Sequence, residues 1–347
     1  MSDGKPLVAI CIPTYNQAEF LGKAIRSAIA QDYRPIEIWI SDDASTDETA
    51  AVVKDFLGGE TPVYYFRQPA NSGLAKNNNW VMRQPDADFI LQLDSDDALE
   101  PDCVARMMEL LLAYPRAGFA HGAVREIDTA GNFRRVRRLF RSTVYQPADS
   151  ALRESRRGYR VAANNCMYRA KALREVGFCR PMNFAQDWDL AVRLADAGWG
   201  NVYSPATLGS YRVWDDESNS RAKRKKTELL GIESVFRDSL VGAYQRRGWP
   251  TAPLQSAMKS FALAQCECLG WSCFTAEEKR ELESILVRMG RSKLVAAKCW
   301  LAQHGFCAFF RLQRSLAVFV KDAIKSLLRG ANKPNDLLPV RHLDRAA

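Results

Sequence analysis

Three carboxylates fall within four residues at Asp94-Ser95-Asp96-Asp97, directly after the apolar run Phe89-Ile90-Leu91-Gln92-Leu93. The run reads as a buried strand. Like charges this close repel, so a fold gains nothing from crowding them unless a divalent cation or a ring of donors sits between them. In an open α/β sheet, ligands bind beyond the carboxyl ends of the strands. A strand followed by Asp-x-Asp therefore points to a hard cation holding a polyphosphate at a strand end. The plain alternative is a polar turn that caps the helix starting near Pro101.

The elements that must position such a site alternate from the start of the chain. Residues 7–12 form a continuous apolar run, as expected of a parallel strand covered on both faces. Phe20, Leu21, Ala24, Ile25, Ala28 and Ile29 recur at helical spacing. Strands are expected over residues 36–40, 62–66 and 89–93, and helices over about 46–57, 74–82 and 103–113. This order predicts an α/β fold with a doubly wound, mostly parallel sheet. From about residue 117 the pattern loosens. A strand over 119–124, a turn at 128–132 between two strands, helices over 170–176 and 188–197 and a strand at 201–203 are expected. Past about residue 221 the strand signal stops and an α-helical region follows, with Thr275 and Glu278 spaced as a capping box. The last pattern, 309–328, sets Leu312, Leu316, Phe319 and Val320 opposite Arg311, Arg314, Lys321 and Lys325. The expected organisation is an α/β unit over 1–220, a helical region over 221–332 and a tail over 333–347.

Composition bounds the function. A chain of 347 residues with 47% hydrophobic residues is globular and long enough for two domains. Its nine cysteines are odd in number and scattered, which fits reduced thiols in a cytoplasmic protein better than a disulfide framework. The N-terminus reads as a strand rather than a signal peptide, and no stretch is long and apolar enough to span a bilayer. Cys266, Cys268 and Cys273 lack a fourth ligand and read as core residues rather than a metal cluster. The net charge of +9 is concentrated in clusters at 134–141, 221–226 and beyond 293. Such surfaces suit an anionic substrate or membrane, and no nucleic-acid-binding module is present in the sequence.

Four polar segments lie at successive expected strand ends. Pro13-Thr14-Tyr15-Asn16 follows the first, Asp42-Asp43-Ala44-Ser45-Thr46-Asp47 the second, Asn71-Ser72-Gly73-Leu74-Ala75-Lys76-Asn77 the third and Asp94-Ser95-Asp96-Asp97 the fourth. In order and spacing, over roughly residues 5–220, the chain resembles the family 2 glycosyltransferases of the GT-A fold. The resemblance implies an inverting, non-processive enzyme of bacterial type with a nucleotide-sugar donor. It places the nucleoside on Pro13, Thr14, Tyr15 and Asn16, with uracil facing Asp42 or Asp43. Asn71, Gly73 and Lys76 are donor-binding candidates, although arginine is the common residue near Lys76. It gives Asp94, beside Ser95, to the ribose and Asp96 to a Mn²⁺ or Mg²⁺ ion that bridges the diphosphate.

The second half of the resemblance runs through Asn164-Asn165-Cys166-Met167 and then Gln186-Asp187-Trp188-Asp189. It implies that Asp187 is the catalytic base, with Gln186 in place of the common glutamate. Near apolar Phe184 and Trp188 the base is expected to have a raised pKa; the plain reading is a helix N-cap. Asn165, Trp188, Asp189, Arg212 and Trp214 are acceptor-side candidates. Trp214 stands where the family often has a histidine on the metal, which leaves the metal shell open, with Asp215 and Asp216 adjacent.

The resulting expectation is a metal-dependent glycosyltransferase that moves one sugar, from a UDP-sugar, to a hydroxyl of a glycan or lipid-linked acceptor in surface glycan synthesis. Peripheral contact with an anionic membrane through the helix at 309–328 is expected. A sugar-1-phosphate nucleotidyltransferase would want a glycine-rich loop after the first strand, and residues 11–20 contain no glycine. A non-catalytic nucleotide-sugar-binding protein would be favoured by loss of Asp96 or Asp187, and both are present.

Overall fold

The computed structural model describes residues 4–139, 144–159, 161, 165–214 and 220–310. The chain begins with alternating strands and helices: β1 (Val8–Thr14), α1 (Ala18–Ile29), β2 (Ile36–Asp42), α2 (Thr49–Lys54), β3 (Val63–Arg67), α3 (Leu74–Val81) and β4 (Phe89–Gln92). It continues through β5 (Ala98–Leu99), α4 (Cys103–Ala113), β6 (Ala117–Ile127), β7 (Phe133–Arg137), β8 (Tyr145–Gln146) and α5 (Ala148–Ser155). Then come β9 (Met167–Arg169), α6 (Ala170–Val176), α7 (Gln186–Asp196) and β10 (Gly200–Arg212).

The strands form one ten-stranded sheet in the order β3-β2-β1-β4-β9-β6-β10-β5, with β7 beside β6 and β8 beside β10. Strands β3, β2, β1 and β4 are mutually parallel, as are β6 and β10. β9 enters antiparallel between β4 and β6, and β5, β7 and β8 are also antiparallel. The sheet is thus mixed, with its parallel half carrying the first four strand ends.

Alternation of side chains explains the two layers. Val8, Ile10 and Ile12 of β1, with Phe89 and Leu91 of β4, face a core closed by Leu21 and Ile25 of α1 and Met107 and Leu111 of α4. Cys11 and Ile90 face the opposite core, closed by Val81 of α3, Leu173 of α6 and Leu190 and Leu194 of α7.

Beyond the sheet the described chain is helical: α8 (Ser220–Lys223), α9 (Lys225–Ser234), a π-helical turn (Val235–Leu240), α10 (Val241–Arg246), α11 (Ala252–Gln265), a 3₁₀ turn (Cys266–Gly270), α12 (Ala276–Gly290) and α13 (Lys293–Gln303). Thr275 and Glu278 do form the capping box of α12. Leu229, Phe236, Leu254, Leu286 and Val295 build a core of this region that also takes in Leu152 of α5 and Trp188 and Val192 of α7. Gly231 of α9 presses on the loop ahead of α7, where an added Cβ would lie 2.6 Å from the carbonyl oxygen of Phe184. The helical region therefore braces the start of α7.

Two expected elements differ. The helix expected over 46–57 is only Thr49–Lys54; it starts late because the carboxylate of Asp47 accepts from the amides of Ala18 and Thr49 and so holds residues 46–48 in the loop. The strand expected at 201–203 is the start of the 13-residue β10, whose register shifts at 204–210 break the alternation that sequence patterns rely on. The amphipathic pattern at 309–328 lies, from residue 311 onward, outside the described residues.

Candidate active site

The three carboxylates sit where β4 ends and the chain turns into β5. The amide of Asp97 closes the turn on the carbonyl of Asp94. Asp94 and Asp96 are partly exposed, whereas Ser95 and Asp97 are buried. Asp97 accepts from the amide of Arg212 at 2.8 Å, which staples the turn to the end of β10. Burial, and then the charges of Asp94 and Asp96, push its carboxyl well above the usual carboxylate range. The crowding read from the sequence is thus present in space.

Around this turn the other strand ends are laced together. Asn16, with φ of 50°, donates its amide to Ser45 Oγ at 2.9 Å and accepts from the amide of Thr46 at 2.8 Å. Asp42 accepts from the amide of Ser45 at 2.8 Å and from the Tyr65 hydroxyl at 2.7 Å. Asp43 accepts from the amide and hydroxyl of Ser72, both at 2.9 Å, and from the amide of Gly73 at 2.8 Å. Gly73 has φ of 87°, open to glycine and strained for other residues. Both candidate base-binding aspartates therefore also build the loops of the site. Pro13 is buried, while Tyr15, Asn71 and Lys76 are exposed at the mouth. The buried hydroxyl of Thr14, at the end of β1, has no partner among the described residues.

Asp187 is the second residue of α7. The helix starts at Ala185, whose φ of 62° is left-handed, and the cap makes no side-chain bond. Asp187 is therefore not the N-cap. Its carboxyl is raised from 3.8 to about 7, first by burial and then by the charge of Asp94. The surroundings differ from expectation: Phe184 is exposed and Trp188 turns away, while Cys166 and Cys179, whose thiols burial and then Asp187 push up to about 12, lie near.

Three acceptor-side assignments are corrected. Successive helical residues point about 100° apart, so Trp188 and Asp189 cannot share the direction of Asp187. Trp188 is buried edge-on against Phe236, with ring centroids 5.6 Å apart. Asp189 is buried and pairs with Arg193 at 2.7 Å and with Ser239 of the π-helical turn, tying α7 to the helical region. Arg212 is buried: its guanidinium donates to the backbone carbonyls of Asp96, Asp128 and Thr129 at 3.1, 2.9 and 2.7 Å. It holds the carboxylate turn rather than an acceptor. Asn165 remains a candidate, buried beside Gly209 with neither amide atom partnered among the described residues. Trp214 is 48% exposed and donates its indole N–H to Asp96 at 2.7 Å. Asp215 and Asp216 lie outside the described residues.

The sequence reading missed Tyr65 and Asn77. Asn77, buried on α3, accepts from the hydroxyl of Ser41 at 2.5 Å and donates to its carbonyl at 2.8 Å. Their strand and helix positions were legible; their long-range partners were not. Among the described residues no group of three His, Cys, Asp or Glu side chains is placed to enclose a metal. The two partly exposed carboxylates Asp94 and Asp96 nevertheless offer hard oxygen donors at a site of excess negative charge. They would suit a Mg²⁺ or Mn²⁺ ion, with the rest of its shell left to donor and water. Of the basic cluster, Arg135 and Arg137 pair with buried Glu126.

Comparison with known proteins agrees with this architecture. Residues 9–177 match the model of glycosyl transferase family 2. Over 195 residues the chain is 29% identical to a chondroitin synthase of Escherichia coli, covering 56% of this chain and 27% of that protein. It therefore spans about a quarter of that relative's length. Among solved structures it superposes on S. aureus TarS residues 1–349 with a TM-score of 0.61 at 14% identity, covering 88% of this chain and 91% of that one. TarS has also been crystallised with UDP-GlcNAc; that complex superposes with a TM-score of 0.54 at 13% identity, over 86% and 91% of the chains. A mannosyltransferase of Pyrobaculum calidifontis, in complex with GDP-Man and Mn²⁺, superposes with a TM-score of 0.52 at 16% identity, over 89% and 87%. Residues 9–177, just under half of the chain, thus resemble glycosyltransferase family 2, and the fold is of the GT-A type.

Proposed function

We propose that the chain moves one sugar per encounter from a nucleotide-sugar donor, a UDP-sugar, to an acceptor hydroxyl, with Asp187 as the base. One feature carries the reading: the carboxyl of Asp187, in the first turn of α7, is raised to about 7, first by burial and then by the charge of Asp94. A carboxylate held near neutral pH in this way is suited to accept a proton. The acceptor O–H gives its proton to Asp187. Its oxygen bonds to the anomeric carbon as the bond from that carbon to the diphosphate oxygen breaks. The nucleoside diphosphate leaves with the electron pair, and the configuration inverts.

The donor would lie across the strand ends of β1, β2 and β4, against Thr14, Asp42, Asp43, Gly73 and Asp94. Asp94 and Asp96 would hold a Mn²⁺ or Mg²⁺ ion, which neutralises charge on the departing diphosphate. The solved relatives bound to UDP-GlcNAc and to GDP-Man support a nucleotide-sugar donor, and the chondroitin synthase supports a glycan acceptor. Asn165 is the acceptor-side residue this reading retains. Residues 1–220 would form the catalytic unit. No helix among the described residues is long and apolar enough to cross a membrane; a lipid-linked acceptor would be met through peripheral contact by residues 309–328.

A panel of nucleotide sugars, assayed with Mn²⁺ and with chelator, tests the proposal. One donor should raise the melting temperature and release its nucleoside diphosphate when metal is present. Failure of every donor in the panel to do either would overturn it.

A further inference from the structure

Strand β10 delivers Trp214 to the carboxylate turn on a fixed backbone. The amide of Arg212 is bound by Asp97, and the amide of Val213 donates to the carbonyl of Ile127 at 2.8 Å. The Arg212 guanidinium lies 4.3 Å from the centre of the Phe20 ring. One residue beyond Val213, the indole meets the same Phe20 ring edge-on, at 5.5 Å and 90°, and its Nε1–H reaches Asp96 Oδ2 at 2.7 Å.

An indole is a donor only and cannot coordinate a cation. This one is half exposed, so burial does not explain its placement. What its geometry does explain is the orientation of one carboxylate. Asp96 stands two residues from Asp94, and like charges on one turn repel. A charge-assisted bond to Oδ2 opposes that repulsion and removes the side chain's freedom to turn away.

We propose that Trp214 is the positioning residue of Asp96: its N–H holds Oδ2, which leaves Oδ1 as the oxygen offered to the divalent cation of the donor complex. The inference rests on the reading of Asp96 as a cation ligand. Groups that orient a metal-binding carboxylate commonly alter metal affinity about 10- to 100-fold when removed.

The test is calorimetric and needs no turnover. The affinities of UDP and GDP for the full chain are measured in Mn²⁺ and again in excess chelator. The parent should bind at least one nucleotide more tightly with Mn²⁺. Trp214→Phe keeps the aromatic contact with Phe20 and removes the N–H. Its metal-dependent gain should fall about 10- to 100-fold, while its affinity in chelator stays that of the parent. An unchanged gain would reduce Trp214 to packing. A larger gain would make the indole a competitor of the cation. Equal loss with and without metal would make it a structural support of the nucleotide site. Each of those three results overturns the proposal while leaving the role of Asp96 standing. A parent with no metal-dependent gain for either nucleotide removes the role of Asp96 itself, and this inference with it.

Discussion

Replacing Asp187 with asparagine should stabilise the protein while disabling it, and the pH dependence of the gain is the diagnostic. The carboxyl rises from 3.8 to about 7 on folding, so the ionised form is disfavoured in the folded state. The sign follows from linkage. Below the unfolded value the group is protonated in both states and costs nothing. As pH rises from about 4 to about 7 the unfolded chain ionises and the folded one resists, so stability is lost. Above about 7 the loss is complete. A rise of about three in pKa corresponds to about 4 kcal/mol at most. Asp187 is partly exposed, and solvent screening reduces the expected figure to about 1–3 kcal/mol. Asp187→Asn never ionises, so it should melt higher than the parent at pH 8, by several degrees, with the difference closing towards pH 4. Thermal or denaturant unfolding across that range measures it. Because Ala185 occupies the cap position, no cap bond is lost. A variant less stable than the parent at pH 8, or a pH-independent difference, would refute the argument that burial beside Asp94 holds this carboxyl ready to take a proton. The parent's turnover should correspondingly rise through pH 7 as Asp187 ionises.

Further outcomes follow from the site and, for the membrane, from the sequence pattern at 309–328. Asp96→Ala should abolish the activity that Mn²⁺ or Mg²⁺ supports, and excess chelator should do the same to the parent; full activity in chelator would remove the cation from the account. Arg212→Met leaves three backbone carbonyls without their charged donor, so stability should fall by about 3 kcal/mol or more; an unchanged melting temperature would mean that Arg212 does not hold the turn. The parent should sediment with anionic liposomes in a salt-sensitive way, and reversing Lys321 and Lys325 to glutamate should weaken this. Binding that is absent, or indifferent to the reversal, counts against the membrane contact.

Much of the parallel half of the sheet was legible because each strand there is a short apolar run ending in a polar segment. α4 coincides with its expected 103–113, where an apolar face recurs without interruption. β9 was not recognised as a strand: at three residues it is too short to show a period, and it is fixed by pairing with β4 and β6 rather than by its own sequence. β10 was seen only at its start, since its register shifts and its Gly209 interrupt the alternation. In the site, the residue types at the strand ends were readable, but their directions were not. Trp188 and Asp189 were grouped with Asp187 by adjacency, and the helical step turns them into the core. Arg212 was read as an acceptor-side candidate, whereas the carbonyls of Asp128 and Thr129 that hold it come from residues more than 80 positions away. The bond from Trp214 to Asp96 links positions 118 apart, and no local pattern records such a contact.

The most direct test of the central claim compares parent and Asp187→Asn in the transfer step itself. With the donor selected by the panel, Mn²⁺ and a hydroxyl acceptor, both donor affinity and the rate of nucleoside diphosphate release are measured. The account predicts that Asp187→Asn binds donor as the parent does and transfers about 10²- to 10⁴-fold more slowly. Near-normal transfer by the variant would contradict it.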